Sequence, residues 1–166
     1  RQSVIGLKDL IVKGAIQIAT EERFMVSSDS YQLVLEGPGE YEVSDFSIRG
    51  VSAARHIDTE ESLPASTMYR IEVGGVAIAV IGNIAAKLSD DQLESIGVVD
   101  IAIIPVGGGS YTLDATSAAS LVRQIEPKAV IPVHYADTAV KYEVPQDTLE
   151  TFIKELGAPT EETAKY

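Results

Sequence analysis

The chain has 166 residues, 45% of them apolar, and a formal net charge of −12. That length fits one domain, taken here as residues 1–166, and that apolar share sustains a core, which excludes a disordered tail. The acid excess disfavours nucleic-acid phosphates as partners, and no apolar run reaches the roughly 18 residues of a membrane span.

Cysteine is absent, which removes disulfides and thiolate metal sites and points to a cytoplasmic setting. Arg1-Gln2-Ser3 leads into a short mixed segment, not into the apolar core of a secretory signal.

The first half alternates short apolar runs with turn residues, the pattern of strands. Strands are expected at Ala15–Thr20, Phe24–Ser27, Gln32–Leu35, Glu40–Val43 and Phe46–Ala53. Gly37-Pro38-Gly39 and Ser44-Asp45 supply turns between them. Asp58–Pro64 reads as an acidic loop. Thr67–Val73 and Val76–Ile81 flank Gly74-Gly75, a hairpin signal because glycine accepts the positive φ of a two-residue turn. This half reads as antiparallel.

The second half changes character. Ser89-Asp90-Asp91-Gln92 reads as a capping box opening a short helix that stops at Gly97. Val98–Pro105 is nearly all apolar and is expected to be a strand buried on both faces. Asp114 caps a helix to about Ile125, with Ala118, Leu121, Val122 and Ile125 at helical spacing. Ala129–Val133 is the next expected buried strand. A last helix begins at Pro145 and stops at Gly157. Strand, helix and strand from Val98 to Val133 form a crossover, so part of the sheet is parallel.

The run AVIPVHYAD ends an apolar strand on His134, one of only two histidines. Strand ends are where metal ligands and catalytic groups are often placed. A neutral histidine at the margin of a core is the plainer reading. Gly107-Gly108-Gly109-Ser110 fits neither the Walker nor the dinucleotide spacing and reads as a permissive loop. Asp114 reads as a helix cap and not as an acid catalyst. Tyr135 and Tyr142 either line a cleft or pack.

Taken in order, Gly37–Val43, Ala54-Arg55-His56, Ile81-Gly82-Asn83, Asp100–Gly109 and Val130–Tyr135 resemble the metallo-β-lactamase superfamily. The resemblance runs from about Ile16 to Tyr142 and is nearest to its small metal-dependent hydrolases, similar to the ascorbate-phosphate lactonase branch. It implies an α/β fold: an αββα four-layer sandwich with mixed sheets and metal ligands at strand ends along one edge. It places His134 on the last histidine ligand and His56 on the histidine after the middle strand. Gly108 and Tyr135 border the same cleft.

The rest of the ligand set departs from the family. The resemblance puts the His-x-His-x-Asp-His motif after Thr20, where this chain has Glu21, Arg23, Met25 and Val26 at the ligand positions. Asn83 stands for the bridging aspartate. Methionine and valine do not hold a hard cation in a nitrogen and oxygen site. The permanent charge of Arg23 repels one and can stand in for it. A dinuclear centre is therefore not expected. Two readings remain for a cofactor: none, or a single zinc held by Glu21, His56 and His134. The family's hydrolysis of esters, lactones or phosphate-containing metabolites is expected to be weak or lost. The competing role is a non-catalytic module that binds a small anionic metabolite, or a scaffold. Relatives open with an N-terminal hairpin, and Arg1–Leu7 reads as the segment that follows it; either the branch lacks the hairpin or the chain starts after it. A missing hairpin leaves a sheet edge open to pairing with a second copy.

Overall fold

A computed structural model describes residues 16–21, 25, 31–56, 66–109, 112–138, 141–142 and 144–162. The strands are β1 (Ile16–Ala19), β2 (Leu33–Glu36), β3 (Gly39–Val43), β4 (Phe46–Ala53), β5 (Ser66–Val73), β6 (Val76–Val80), β7 (Ile101–Pro105) and β8 (Ala129–Val133). The helices are α1 (Asp90–Ile96), α2 (Ala115–Ile125) and α3 (Leu149–Leu156). The strand expected at Phe24–Ser27 and the loop Asp58–Pro64 lie outside the described residues, apart from Met25, which is in no strand.

Six strands form one sheet in the order β3-β4-β5-β6-β7-β8. β3 to β6 form an antiparallel meander, and β6, β7 and β8 run parallel. The side chains alternate across this sheet as strand geometry requires. Val51, Met68, Ala79, Ala102 and Ile104 point to the face that α1, α2 and α3 cover, where they join Leu121, Val122 and Phe152 in the main core. Ile48 and Tyr69 point to the opposite face and pack with Leu35, Ile16 and Ile18 of a second sheet.

That second sheet consists of β1 and β2, paired in parallel from Ile16–Leu33 to Ala19–Glu36. The antiparallel expectation for the first half is corrected at this pair. The chain between β1 and β2, residues 20–32, is longer than a tight hairpin turn, so strand alternation alone does not fix the direction in which the two pair. Among the described residues, one helical layer and two sheets are in place. They form the mixed-sheet α/β architecture expected from the sequence.

Two further expectations are corrected. β8 is not buried: it is the last strand of its sheet, with Ile131 43% and Val133 37% exposed on the face that β1 and β2 do not reach. The helix expected from Pro145 starts four residues later, at Leu149 after Thr148. Residues before it stay extended because Asp147 N–H donates to the Gly107 carbonyl at 2.7 Å, and Ala136 N–H donates to the Asp147 carbonyl at 2.9 Å. β7 also starts late. Val98 is 78% exposed, and Asp100 turns its carboxylate onto the Ala77 N–H at 2.8 Å. Ser89 and Gln92 form the reciprocal capping box, and Asp114 accepts from the Ser117 N–H at 2.7 Å, so its role is that of a helix cap.

Candidate functional site

Strand direction decides which residues share an edge. β4, β6, β7 and β8 all run the same way, because β4 and β6 are each antiparallel to β5. Their C-terminal ends therefore lie on one edge of the sheet. β4 leads to Arg55 and His56, β6 to Gly82 and Asn83, β7 to Gly107 and Gly108, and β8 to His134 and Tyr135.

The end of β1 reaches the same edge. Thr67 N–H, at the start of β5, donates to the Thr20 carbonyl at 2.8 Å. Gly82 permits this approach: a Cβ there would lie 2.6 Å from the Thr20 Cβ. The chain then turns into Glu21. A bridge between Arg55 and Ile84, with the Ala85 N–H donating to the Ala54 carbonyl at 2.8 Å, holds Arg55 and His56 beside Asn83.

Glu21 and Arg55 meet there. Arg55 Nε lies 3.0 Å from Glu21 Oε2; the glutamate side chain is fully buried and that of the arginine is 31% exposed. Burial of a carboxylate is costly without a counter-charge, and the guanidinium supplies one. Sequence reasoning gave that compensating role to Arg23, which lies outside the described residues. The signal for Arg55 was an arginine directly before His56, at a strand end facing an acid that stands where the resemblance puts a ligand.

The other expected site residues take different positions. Asn83 is half-buried, with its Oδ1 enclosed and without a hydrogen-bond partner among the described residues. His56 is half-buried and His134 exposed. Their strands, β4 and β8, are four steps apart in the sheet, about 19 Å between axes at the usual spacing. Among the described residues, no group of three or more histidine, aspartate or glutamate side chains is placed to hold a metal, so Glu21, His56 and His134 do not converge as such a set.

His134 has a left-handed backbone, φ 56°. A residue with a Cβ pays strain in that conformation, and strain of this kind clusters at functional sites. Gly108 is buried, with φ 63°, and donates its N–H to the Leu113 carbonyl at 2.9 Å. Tyr135 packs against the main core, and its carbonyl accepts from the Tyr142 hydroxyl at 2.9 Å. Ser110 and Tyr111 lie outside the described residues.

An α/β sandwich of facing sheets, with polar strand ends gathered on one edge, is the architecture of metal-dependent hydrolases of the metallo-β-lactamase class. The chain belongs to the family described as the Beta-lactamase superfamily domain, which matches residues 18–134. A UPF0173 metal-dependent hydrolase of Thermococcus onnurineus (strain NA1) is 32% identical over 79 residues, covering 47% of this chain and 35% of that protein. The UPF0173 metal-dependent hydrolase of Pyrococcus furiosus is 32% identical over 80 residues, again 47% of this chain and 35% of that protein. These matches thus span about a third of the length of the curated relatives.

Among solved structures, a Thermotoga maritima protein described as a Zn-dependent hydrolase of the metallo-β-lactamase superfamily superimposes with a TM-score of 0.61 at 22% identity, covering 84% of this chain and 67% of that one. A Parabacteroides distasonis protein described as a metal-dependent hydrolase gives 0.59 at 20% identity, covering 88% and 73%. At these identities the likeness is one of fold.

Proposed function

We propose that this chain is a hydrolase-related domain of the metallo-β-lactamase fold whose dinuclear centre is largely lost and whose hydrolase activity is weak or absent. The observation that carries this reading is the buried pairing of Glu21 with Arg55. A hydrolytic metal needs about three protein ligands and an open position for water. A guanidinium already on the carboxylate opposes a divalent cation by like charge. Asn83 offers a neutral carbonyl where a bridge between two ions needs an anion. The residues of this edge do not fit the metal centre that the family implies, and no hydrolytic step runs through one. A mononuclear zinc on Glu21, His56 and His134 would require Glu21 to give up Arg55.

The role left to the edge is non-catalytic. Arg55 and His56, held beside Asn83, supply donors for a small anionic metabolite, while His134, Gly108 and Tyr135 lie farther along the same edge. A chain without cysteine suits the reducing cytoplasm, the compartment proposed.

Elemental analysis of the purified protein tests the reading, together with assays on chromogenic esters, lactones and phosphodiesters with and without added zinc or manganese. The expected result is well under one equivalent of metal, no retained metal after zinc loading and gel filtration, and no metal-dependent turnover. One or more tightly held equivalents with metal-dependent turnover would overturn it.

A further inference from the structure

We infer that the Glu21–Arg55 ion pair takes over the metal's structural task and ties the two sheets together at this edge. The inference rests on the reading above and adds a role for the residues that replaced the centre.

The two partners belong to different sheets. Glu21 follows β1 of the two-stranded sheet, and Arg55 follows β4 of the six-stranded sheet. Their side chains meet at 3.0 Å with the carboxylate wholly enclosed. A metal centre joins strand ends by neutralising ligands that arrive from separate elements, so that assembly of the edge depends on the ion. A guanidinium built into the chain supplies positive charge at the same kind of junction and needs no ion. The contacts around it agree with that task. The Thr67 amide and the close approach of Gly82 to Thr20 dock the end of β1 onto the larger sheet one residue before Glu21.

The consequence is an edge whose order is independent of metal and dependent on the pair. Removing a cationic partner from a buried carboxylate costs far more than replacing both members of the pair by neutral groups. Arg55→Met should therefore lower Tm by about 10 °C. Combining it with Glu21→Gln should recover most of that loss, because the charge that Arg55 offsets is removed with it.

The test is thermal unfolding of the full chain and of the variants Arg55→Met, Arg55→Lys and Glu21→Gln/Arg55→Met, each with EDTA and with zinc. Hydrogen exchange at the Thr67 amide, which reports the β1 junction directly, accompanies it. The inference expects no EDTA effect in the parent chain and an exchange rate at Thr67 raised about tenfold or more in Arg55→Met. It expects near-parent exchange in the double variant and an intermediate rate in Arg55→Lys. Should Arg55→Met fail to fold, recovery of folding in the double variant is the supporting result. Unchanged Thr67 exchange in Arg55→Met overturns the inference, as does a double variant no better than the single one; either leaves the degenerate-centre reading standing. A Tm lowered by EDTA, with metal found in the protein, overturns both.

Discussion

The carbonyl oxygen of His134 occupies the place where a Cβ on Gly107 would have to go. Gly107 is the second residue after β7, and His134 the first after β8, so the glycine lets two neighbouring strand ends approach along the candidate edge. The Val106 N–H donates to the Val133 carbonyl at 3.0 Å just before this crossing, and Gln146 Oε1 would lie 2.7 Å from the same Cβ. Gly107→Ala must push backbone against backbone. It is expected to destabilise the protein by about 2 kcal/mol, the usual cost of overpacking. Urea denaturation, comparing midpoints at a constant slope, checks this. An unchanged midpoint would mean that the strand ends separate freely.

His134 itself holds a left-handed backbone that glycine adopts without strain. Its imidazole is on an exposed residue, so packing does not explain a histidine there. His134→Gly is expected to stabilise the fold, by up to about 1 kcal/mol, through relief of that strain. Thermal unfolding decides. A lower Tm would show that the imidazole makes contacts worth more than the strain and would move His134 from the candidate binding edge into the structural framework.

What was legible in the sequence was local. β4 and β8 run between the expected residues, and Ser89, Asp114 and Gly97 mark helix ends where their chemistry said they should. A cap or a Gly-Gly turn acts on residues within one turn of itself, so sequence spacing carries the information. The order of site segments along the edge was legible through the family resemblance. The Glu21–Arg55 pair was not. The two residues are 34 positions apart (55 − 21) and meet only after β1 docks on the far face of a sheet that β4 helps build. The exposure of β8 was hidden for a similar reason. An apolar strand reads as buried, but burial depends on what covers each face, and β8 comes last in its sheet.

Tyr69 joins the two sheets at a second point. Its ring is fully buried, and its hydroxyl donates to the Ala19 carbonyl of β1 at 3.1 Å. Burial pushes the phenol above its ordinary pKa, so it stays a neutral donor. Tyr69→Phe keeps the ring and deletes the donor. The expected loss is about 1 kcal/mol, with the Ala19 carbonyl left short of a partner. Chemical denaturation of Tyr69→Phe measures it, and no loss would show that water or a neighbouring donor serves Ala19 equally well.

Asp100 gives the pH dependence. Its carboxylate accepts from the Ala77 N–H at 2.8 Å and lies 2.6 Å from Lys128 Nζ, and these hold it below the usual aspartate range, the Ala77 amide foremost. A group whose folded pKa is depressed contributes stability that is fully present above its unfolded pKa, about 4. That contribution is lost as the pH falls through the lower, folded value. Asp100→Asn should therefore lower Tm at pH 6, where the parent carboxylate is charged. The difference should shrink steadily below about pH 4. Tm curves for both proteins from neutral to acidic pH check the sign. A gap that widens on acidification would mean that the carboxylate is stabilised in its protonated form, the reverse of what the Ala77 and Lys128 contacts require.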